Sequence, residues 1–316
     1  TAFWLESDRM LSLAFSEKSL EVQRKVVCEE FKEHYINKPY GDAWKIMRDL
    51  AYKHHPYKWM TSGLELNHIE NAQLEDMKRF FFKHYTPANA ILVVAGNVYL
   101  DQVRHLAEKW FGGIPPGPKY NRNLPEEPAQ QEARKLVIKS KVPLDAFYKT
   151  WHMSARMDQR YYVADLAGDM LGGGGSSRLY QSLVKEQKLF SNIDCFHFGS
   201  TDAGLFSIEG KLVKGVDINA AEAAVEKELE KMTNTLVDEK ELQKVKNKTE
   251  SIMAFEDMSV MSRGSSLAYY ELLGDANLMN TELSKYQAVT VHDIQRECQQ
   301  IFRPENSNTL HYLSES

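Results

Sequence analysis

Residues 73–98 read QLEDMKRFFFKHYTPANAILVVAGNV, and residues 290–313 read TVHDIQRECQQIFRPENSNTLHYL. Each stretch predicts an amphipathic helix, then an aromatic-x-Pro-x-Asn turn, and then a strand, from Ala90 to Val98 in the first copy and from Thr309 to Leu313 in the second. At one constant offset, Leu74, Met77, Phe81, Tyr85, Pro87 and Asn89 correspond to Val291, Ile294, Cys298, Phe302, Pro304 and Asn306. A unit that recurs in this way indicates two related domains in one chain.

The position of each copy predicts the domain boundaries. The second copy follows a full domain that opens with a predicted strand from Lys135 to Lys141, whereas only about 75 residues precede the first copy. Applied backwards, the same offset places the start of the first domain about 80 residues before Thr1. Residues 112–128 hold five prolines and three glycines, which is typical of a linker. We expect the C-terminal part of the first domain at 1–112, a linker at 113–133 and the second domain at 134–316.

The predicted elements of the second domain favour an α+β fold. Hairpin strands at Phe190–Gly199 and Gly204–Val213 precede long helices at Asn219–Thr235 and from Asp238 to about Asp257, so strands and helices are segregated rather than strictly alternating. We expect two homologous domains, each a mostly antiparallel sheet packed against helices, with the first domain incomplete at its N-terminus.

Composition excludes several classes of protein. The chain has 316 residues, of which 43% are hydrophobic and 26% charged, as in globular proteins. Its net charge of -5 includes no basic block, so nucleic acid is not an expected partner. No apolar run is long enough to cross a bilayer. Cys28, Cys195 and Cys298 are widely separated, which predicts free buried thiols rather than a disulfide framework or a zinc knuckle.

One carboxylate stands out when the two halves are aligned. Pairing the helix that follows Ser16 with the helix that follows Asp238 places Glu30 opposite Ile252. Glu30 also continues an apolar stripe through Val26 and Val27 at helical spacing. A lone carboxylate on a buried stripe needs a cation, a metal or a donor, so a partner is expected. Glu29 lies about 100° further round the helix and faces solvent. The alternative is that Glu30 lies at the edge of the stripe and meets a lysine or water.

Other candidate sites have structural alternatives. His54 and His55 could ligate a metal, but a loop anchored by Tyr57 fits the sequence better. His34, one turn after Glu30, could share its face or simply end the helix in solvent. Gly172, Gly173, Gly174 and Gly175 could hold a phosphate on free amides, or could form a helix-to-helix turn with close backbone approach. The glycine loop has neither the Lys-Ser/Thr pair of a P-loop nor a preceding strand.

Five motifs now carry a resemblance over nearly the whole chain. They are WLESDRM at 4–10, VVCEE at 26–30, HPY at 55–57, YTPAN with VVAGNV at 85–98, and LGGGGSSRL at 171–179. In this order they resemble the pitrilysin/insulinase family of zinc peptidases, the inverzincins. The resemblance implies that Glu30 is the third zinc ligand, supplied by a helix that follows an inverted His-x-x-Glu-His motif. It also implies that this motif, with two zinc ligands and the general base, lies upstream of these residues, so this chain alone should bind no catalytic zinc and be inactive.

The chain departs from the family pattern in its second half. Where the resemblance implies an Arg and, seven positions later, a Tyr that hold the substrate carbonyl, alignment from the glycine loop gives Val184 and Ser191. Neither side chain stabilises an oxyanion as Arg and Tyr do. The departure is similar to heterodimeric members of the family, in which one subunit carries zinc and a homologous subunit carries the Arg/Tyr pair.

The resemblance therefore implies part of a zinc metalloendopeptidase subunit that hydrolyses peptides or unfolded polypeptides. The expected partners are a peptide substrate, added as a strand to a sheet edge, and a homologous subunit; export to the periplasm or beyond is the expected localisation. The competing class is a non-catalytic chamber or scaffold subunit that binds peptides. A nucleotide-binding protein that uses the glycine loop is a third, remote alternative, which thermal stabilisation by ATP or NAD would reveal.

Overall fold

A computed structural model describes residues 1–315. Its five strands form one sheet in the order β1-β5-β2-β4-β3. Only the β1/β5 pair is parallel, and the other three pairs are antiparallel. The strands are β1 Arg134–Ser140, β2 Ala146–Met153, β3 Phe190–Phe198, β4 Gly204–Leu212 and β5 Ser307–Ser314. The α+β fold class is confirmed.

Twelve α-helices are present in the described part of the chain. They are α1 Ala2–Leu11, α2 Glu17–Phe31, α3 Ala43–Ala51, α4 Leu66–Glu70, α5 Leu74–His84, α6 Leu100–Phe111, α7 Arg160–Gly172, α8 Ile218–Asn234, α9 Glu239–Glu256, α10 Val260–Leu272, α11 Leu278–Gln287 and α12 Val291–Ile301. A helix with π-type hydrogen bonds at Tyr180–Glu186 follows the glycine loop. None of these helices is both long and apolar enough to cross a membrane.

Helices cover both faces of the sheet. Alternation along β2 places Phe147, Trp151 and Met153 in the main core with apolar residues of α7, α8 and α12. On the opposite face of the sheet is a smaller core, in which Tyr148 and Leu310 pack with Ala43 and Met47 of α3. Because both faces are covered, the interior strands β2 and β5 are buried along most of their length.

The two copies of the repeat share their local structure. Helices α5 and α12 both begin with a capping box, formed by Gln73 with Asp76 and by Thr290 with Asp293. Each helix leads into a short 3₁₀ turn, Pro87–Asn89 or Pro304–Asn306. The turn asparagine donates from Nδ2 to a carbonyl oxygen five residues earlier, at 2.9 Å in both copies.

The copies diverge immediately after the turn. Residues 307–314 form β5, hydrogen-bonded to β1 on one side and to β2 on the other. Residues 90–98 pair with no strand in the described chain, so the predicted strand from Ala90 to Val98 is wrong for this polypeptide. A strand requires a neighbour to receive its amide and carbonyl groups. The elements that flank β5 have no counterpart around the first copy among residues 1–315.

Two compact units make up the described chain. Unit 1 comprises residues 1–34, 61–124 and 254–280, and unit 2 comprises 35–60, 125–253 and 281–316. Compared with the predicted division at 113–133, residues 35–60 belong to the later unit and residues 254–280 to the earlier one. These two segments occupy equivalent places, after or at the end of α2 and α9, the two helices that the sequence comparison pairs. Each unit therefore contains the segment that the sequence would assign to the other unit, which makes the exchange reciprocal. The division into homologous domains stays a prediction.

Unit 1 is a helical assembly around the first copy of the repeat. Helix α1 packs against α6, and α2 packs against α4. Helix α10 lies against the extended segment after the turn, because a Cβ added to Gly264 would be 3.5 Å from the Cβ of Ala95. Cys28 in this unit, like Cys195 and Cys298 in the other, is a buried free thiol, as predicted.

Candidate functional site

Glu30 lies near the C-terminal end of α2. Ser16 caps this helix, its side chain accepting a hydrogen bond from the amide of Ser19 at 3.1 Å. The buried face of α2 carries Leu20, Cys28 and Phe31, and Glu30 lies on another face.

That other face is a stripe of Val22, Val26 and Glu30, four residues apart. Val22 is 53% exposed, Val26 is 45% exposed and Glu30 is also exposed. The predicted burial of Glu30 is therefore wrong for this chain, although its place beside Val26 on the stripe holds. Burial requires a covering element, and the described residues of unit 1 leave this stripe open. Ile252, its counterpart in the alignment, is 46% exposed.

Glu29 and Glu30 differ in their contacts. Glu29 forms an ion pair with Lys32 at 2.9 Å. The carboxylate of Glu30 makes no hydrogen bond or ion pair in residues 1–315, while its backbone carbonyl oxygen contacts Nδ1 of His34 at 2.8 Å. His34 therefore meets the backbone of Glu30 rather than its carboxylate.

The fit to zinc can be tested on the residues present. No group of three or more His, Cys, Asp or Glu side chains in residues 1–315 is arranged to hold a metal ion. A protein zinc site normally has three or four such ligands. The described residues thus do not by themselves fit a zinc ion, and Glu30 can contribute at most one ligand to a site completed from elsewhere.

The HPY segment forms an anchored loop, as the sequence analysis favoured. Glu127 accepts hydrogen bonds from the backbone amides of Lys53, His54 and His55, each at 2.8 Å. Burial opposes ionisation of Glu127, but the three amides outweigh it and lower the pKa of this carboxyl.

His55 holds the loop from its other side. Its Nε2 lies 3.1 Å from a carboxylate oxygen of Asp202, and its Nδ1 accepts from the amide of Tyr57 at 3.1 Å. Both ring nitrogens of this buried histidine are therefore engaged within the protein.

The glycine loop joins α7 to the π-type helix. A Cβ at Gly172 would lie 2.2 Å from the backbone nitrogen of Cys195, and Gly174 has a φ of +110°. Lys248 contacts a carboxylate oxygen of Asp169 at 2.9 Å and the Gly173 carbonyl oxygen at 3.2 Å. These contacts account for the glycines by close packing and a left-handed turn, and the lysine charge is used within the protein.

The two degenerate clamp positions have ordinary structural contacts. Val184 is partly buried and packs against the core of unit 2. Ser191 is exposed, and its hydroxyl donates to the backbone carbonyl oxygen of Lys211 at 3.0 Å.

Unit 1 contains a large groove that is not predicted from the sequence motifs. It has a volume of about 1210 Å³ and is lined by α1, α5 and residues 87–93. Exposed apolar side chains border it, including Phe80, Leu92 and Tyr85. The signal that could have found it is the apolar run at 90–95, which suits burial between neighbours rather than an exposed position.

A buried ionic cluster in unit 2 also escaped the sequence analysis. The Glu222 carboxylate on α8 accepts from Lys135 at 2.7 Å and from Lys149 at 3.0 Å, and it lies 2.9 Å from Nε2 of His311. Burial alone would raise the pKa of Glu222, but the bonds from His311 and Lys135 and the Lys149 charge hold it well below its usual range. Inward-facing polar residues on β2 and β5 were the available signal.

Three comparisons with known proteins accord with this fold. The chain is 28% identical to the zinc protease PqqE of Helicobacter pylori, over 97% of this chain and 69% of that protein. It is 23% identical to the uncharacterized zinc protease YmxG of Bacillus subtilis, over 94% and 71% of the two chains. The crystal structure of a protease from Helicobacter pylori superposes with a TM-score of 0.90 at 25% identity, over 98% of this chain and 76% of that one.

The sequence profile of the peptidase M16 inactive domain matches residues 71–249, more than half of the chain. The match includes the linker, the glycine loop and most of the sheet. With it, the resemblance to the pitrilysin-type peptidases is confirmed. This chain belongs to the peptidase M16 inactive-domain family.

Proposed function

We propose that this chain is part of a zinc metallopeptidase subunit that hydrolyses peptides or unfolded polypeptides, with Glu30 as one of the zinc ligands. The observation that carries the proposal is the state of the Glu30 carboxylate. It is exposed, has no partner among residues 1–315, and lies on one stripe with two exposed valines. Exposed apolar side chains beside an unpaired carboxylate suit a face that another element covers.

The remaining zinc ligands would come from an inverted His-x-x-Glu-His helix outside residues 1–316. The names of PqqE and YmxG as zinc proteases support this assignment. Because the described residues do not fit zinc by themselves, the reaction itself would depend on groups outside them. The role of this chain would be to present Glu30 on a helix whose buried face is fixed by Leu20, Cys28 and Phe31.

We also infer that the subunit is the zinc-bearing half of a heterodimer. Val184 packs against the core and Ser191 is bound to the Lys211 carbonyl oxygen, so neither position supplies a cationic or phenolic donor. A homologous subunit with an Arg and a Tyr at these positions would supply them. We place the assembly outside the cytoplasm; fractionation of the source cells would test this placement.

The experiment compares two adjacent carboxylates in the intact protein. Zinc content and cleavage of an unfolded polypeptide are measured for the wild type, for Glu30→Gln and for the matched control Glu29→Gln. We expect Glu30→Gln to lose zinc and cleavage, since loss of one ligand removes charge and coordination. Glu29→Gln removes only an exposed ion pair with Lys32 and should retain both. Unchanged zinc in Glu30→Gln would remove the assignment.

A non-catalytic chamber or scaffold subunit is the second candidate. The match to an inactive domain and the two replaced clamp positions favour it. The two candidates differ in zinc content: a scaffold subunit purified intact should contain no stoichiometric zinc, should cleave nothing with any homologous partner, and should still bind unfolded peptides.

A further inference from the structure

Glu297 is a buried carboxylate without a partner. It lies on α12 and is only 5% exposed. No hydrogen bond or ion pair reaches it from any of the residues 1–315. A buried carboxylate normally has a cation or several donors around it, because burial without them is costly. The first copy of the repeat has Phe80 at the equivalent position, so an apolar side chain is compatible with this place on the helix.

Glu297 lines a pocket of about 460 Å³ between α7, α11 and α12. The volume lies in the range of small-molecule sites, about 300–1,000 Å³, and far exceeds the roughly 30 Å³ of one water. Val163, Ala288 and Val289 give the pocket an apolar wall. Every lining residue belongs to unit 2.

Two of the three cations in the pocket lining are already neutralised. Arg160 is paired with Asp158 at 2.6 Å, and Arg296 is paired with Asp293. The third cation, Lys285, contacts the hydroxyl of Tyr162 at 3.3 Å. No carboxylate in residues 1–315 lies within ion-pair distance of Lys285. The pocket thus contains one anion without an ion pair, Glu297, and one cation without an ion pair, Lys285, whose Nζ also lies 5.3 Å from the centre of the Tyr162 ring.

Glu297 changes its protonation state near neutral pH. Burial raises the pKa of this carboxyl to about 7; the charge of Asp158 adds to the rise, and the charges of Arg160 and Arg296 lower the pKa in part. A cationic group that enters the pocket would favour the ionised form and expel the proton. Binding should therefore release protons near neutral pH and weaken as the pH falls below 7.

We propose that this pocket binds a small zwitterion, an α-amino acid or a short peptide with free ends. Its ammonium group would pair with Glu297, its carboxylate with Lys285, and its side chain would contact the Val163, Ala288 and Val289 wall. The site requires neither zinc nor peptide cleavage, so it stands or falls separately from the proposed peptidase function.

Calorimetric titration of residues 1–316 with L-leucine and with leucyl-leucine tests the site. N-acetyl-leucine, which lacks the ammonium group, and leucinamide, which lacks the carboxylate, serve as chemical controls. We expect saturable binding of at least one zwitterion and at least about tenfold weaker binding of both analogues, because each loses one charged pair. Comparing leucine with leucyl-leucine tells which length the pocket accepts.

Two variants complete the test. Glu297→Gln and Lys285→Gln should each weaken binding at least about tenfold, whereas Glu305→Gln, which changes a half-buried carboxylate outside the pocket, should not. Glu297→Gln should also abolish proton release, measured in buffers of different ionisation enthalpy. Melting temperatures confirm that each variant is folded, and the analogue series decides the matter in the wild type if one is not. Absence of saturable binding at about 10 mM of either zwitterion, or equal binding of the analogues, would overturn the proposal.

Discussion

The two copies of the repeat have the same helix and turn, but only the second copy continues into a strand. Both have the capping box, the 3₁₀ turn and the asparagine bond at 2.9 Å. Yet residues 307–314 form the strand between β1 and β2, whereas residues 90–98 pair with no strand in the described chain. Short-range sequence signals thus determine a helix and its turn, but a strand also depends on neighbours far away in the sequence.

Amide hydrogen exchange should give the largest difference between the copies. Amides 308–313 are in a two-sided ladder and should exchange only through extensive opening, whereas those at 91–96 have no ladder partner. Because domain stabilities are about 5–15 kcal/mol and 1.4 kcal/mol is a factor of ten, protection should differ by at least about 10³-fold. Mass spectrometry of peptides from residues 1–316 would measure it. Similar protection in both segments would refute the contrast.

Substitutions at equivalent apolar positions on α5 and α12 should give the next largest difference, in the free energy of unfolding. Ile294 is fully buried and Met77 is 38% exposed. Ile294→Ala should lower the free energy of unfolding by about 2–5 kcal/mol through loss of packing and a residual cavity. Met77→Ala should lower it by less than about 1 kcal/mol. Urea denaturation followed by circular dichroism provides the comparison, and equal losses would show that both helices are packed alike.

The shared asparagine bond gives a finer comparison. Asn306 is buried and also donates to the carbonyl oxygen of His152 at 2.9 Å, whereas Asn89 is exposed. Asn306→Ala should cost about 1–3 kcal/mol of unfolding free energy because two buried acceptors lose their donor. Asn89→Ala should cost no more than about 1 kcal/mol. A larger loss for Asn89→Ala would mean that the first turn has contacts beyond those described.

Acid should lower the stability of the second copy, because Glu222 on α8 contacts its strand β5 through His311. The pKa of its carboxyl is lowered in the folded state, so its contribution is present above the unfolded value of about 4.3 and is lost as the pH falls towards the folded value. Glu222→Gln should therefore lose less stability than the wild type as the pH falls below about 4.3. The first copy has Val94 and Leu92 where β5 has His311 and Thr309, so it has no such cluster. Urea midpoints measured across this range check the effect, and parallel pH curves would contradict it.

Much of unit 2 was predictable because its strands alternate or carry β-branched and aromatic residues. No element is predicted from the sequence between Asp257 and the helix of the second copy, where the structure has α10 and α11. Gly264 and three serines, Ser262, Ser265 and Ser266, lower the helix propensity of α10. A Cβ at Gly264 would meet the Ala95 side chain at the ordinary van der Waals distance of 3.5 Å, so the contact of α10 with residues 90–98 does not depend on glycine. That contact cannot be anticipated from local sequence.

The candidate site was predictable in position but not in environment. Helical spacing correctly placed Glu30 on one stripe with Val26, but it could not show whether another element covers that stripe. The reciprocal exchange of 35–60 and 254–280 between the units was not predicted for the same reason, because local sequence does not show which core a segment joins. An amphipathic pattern predicts that a helix buries one face, without specifying which core receives it.

The central claim is that Glu30 ligates zinc in the intact protein. Anomalous diffraction from crystals of that protein, collected on both sides of the zinc absorption edge, tests it most directly. We predict an anomalous peak about 2.0–2.2 Å from a carboxylate oxygen of Glu30. A map in which that carboxylate has no zinc peak within bonding distance would contradict the assignment.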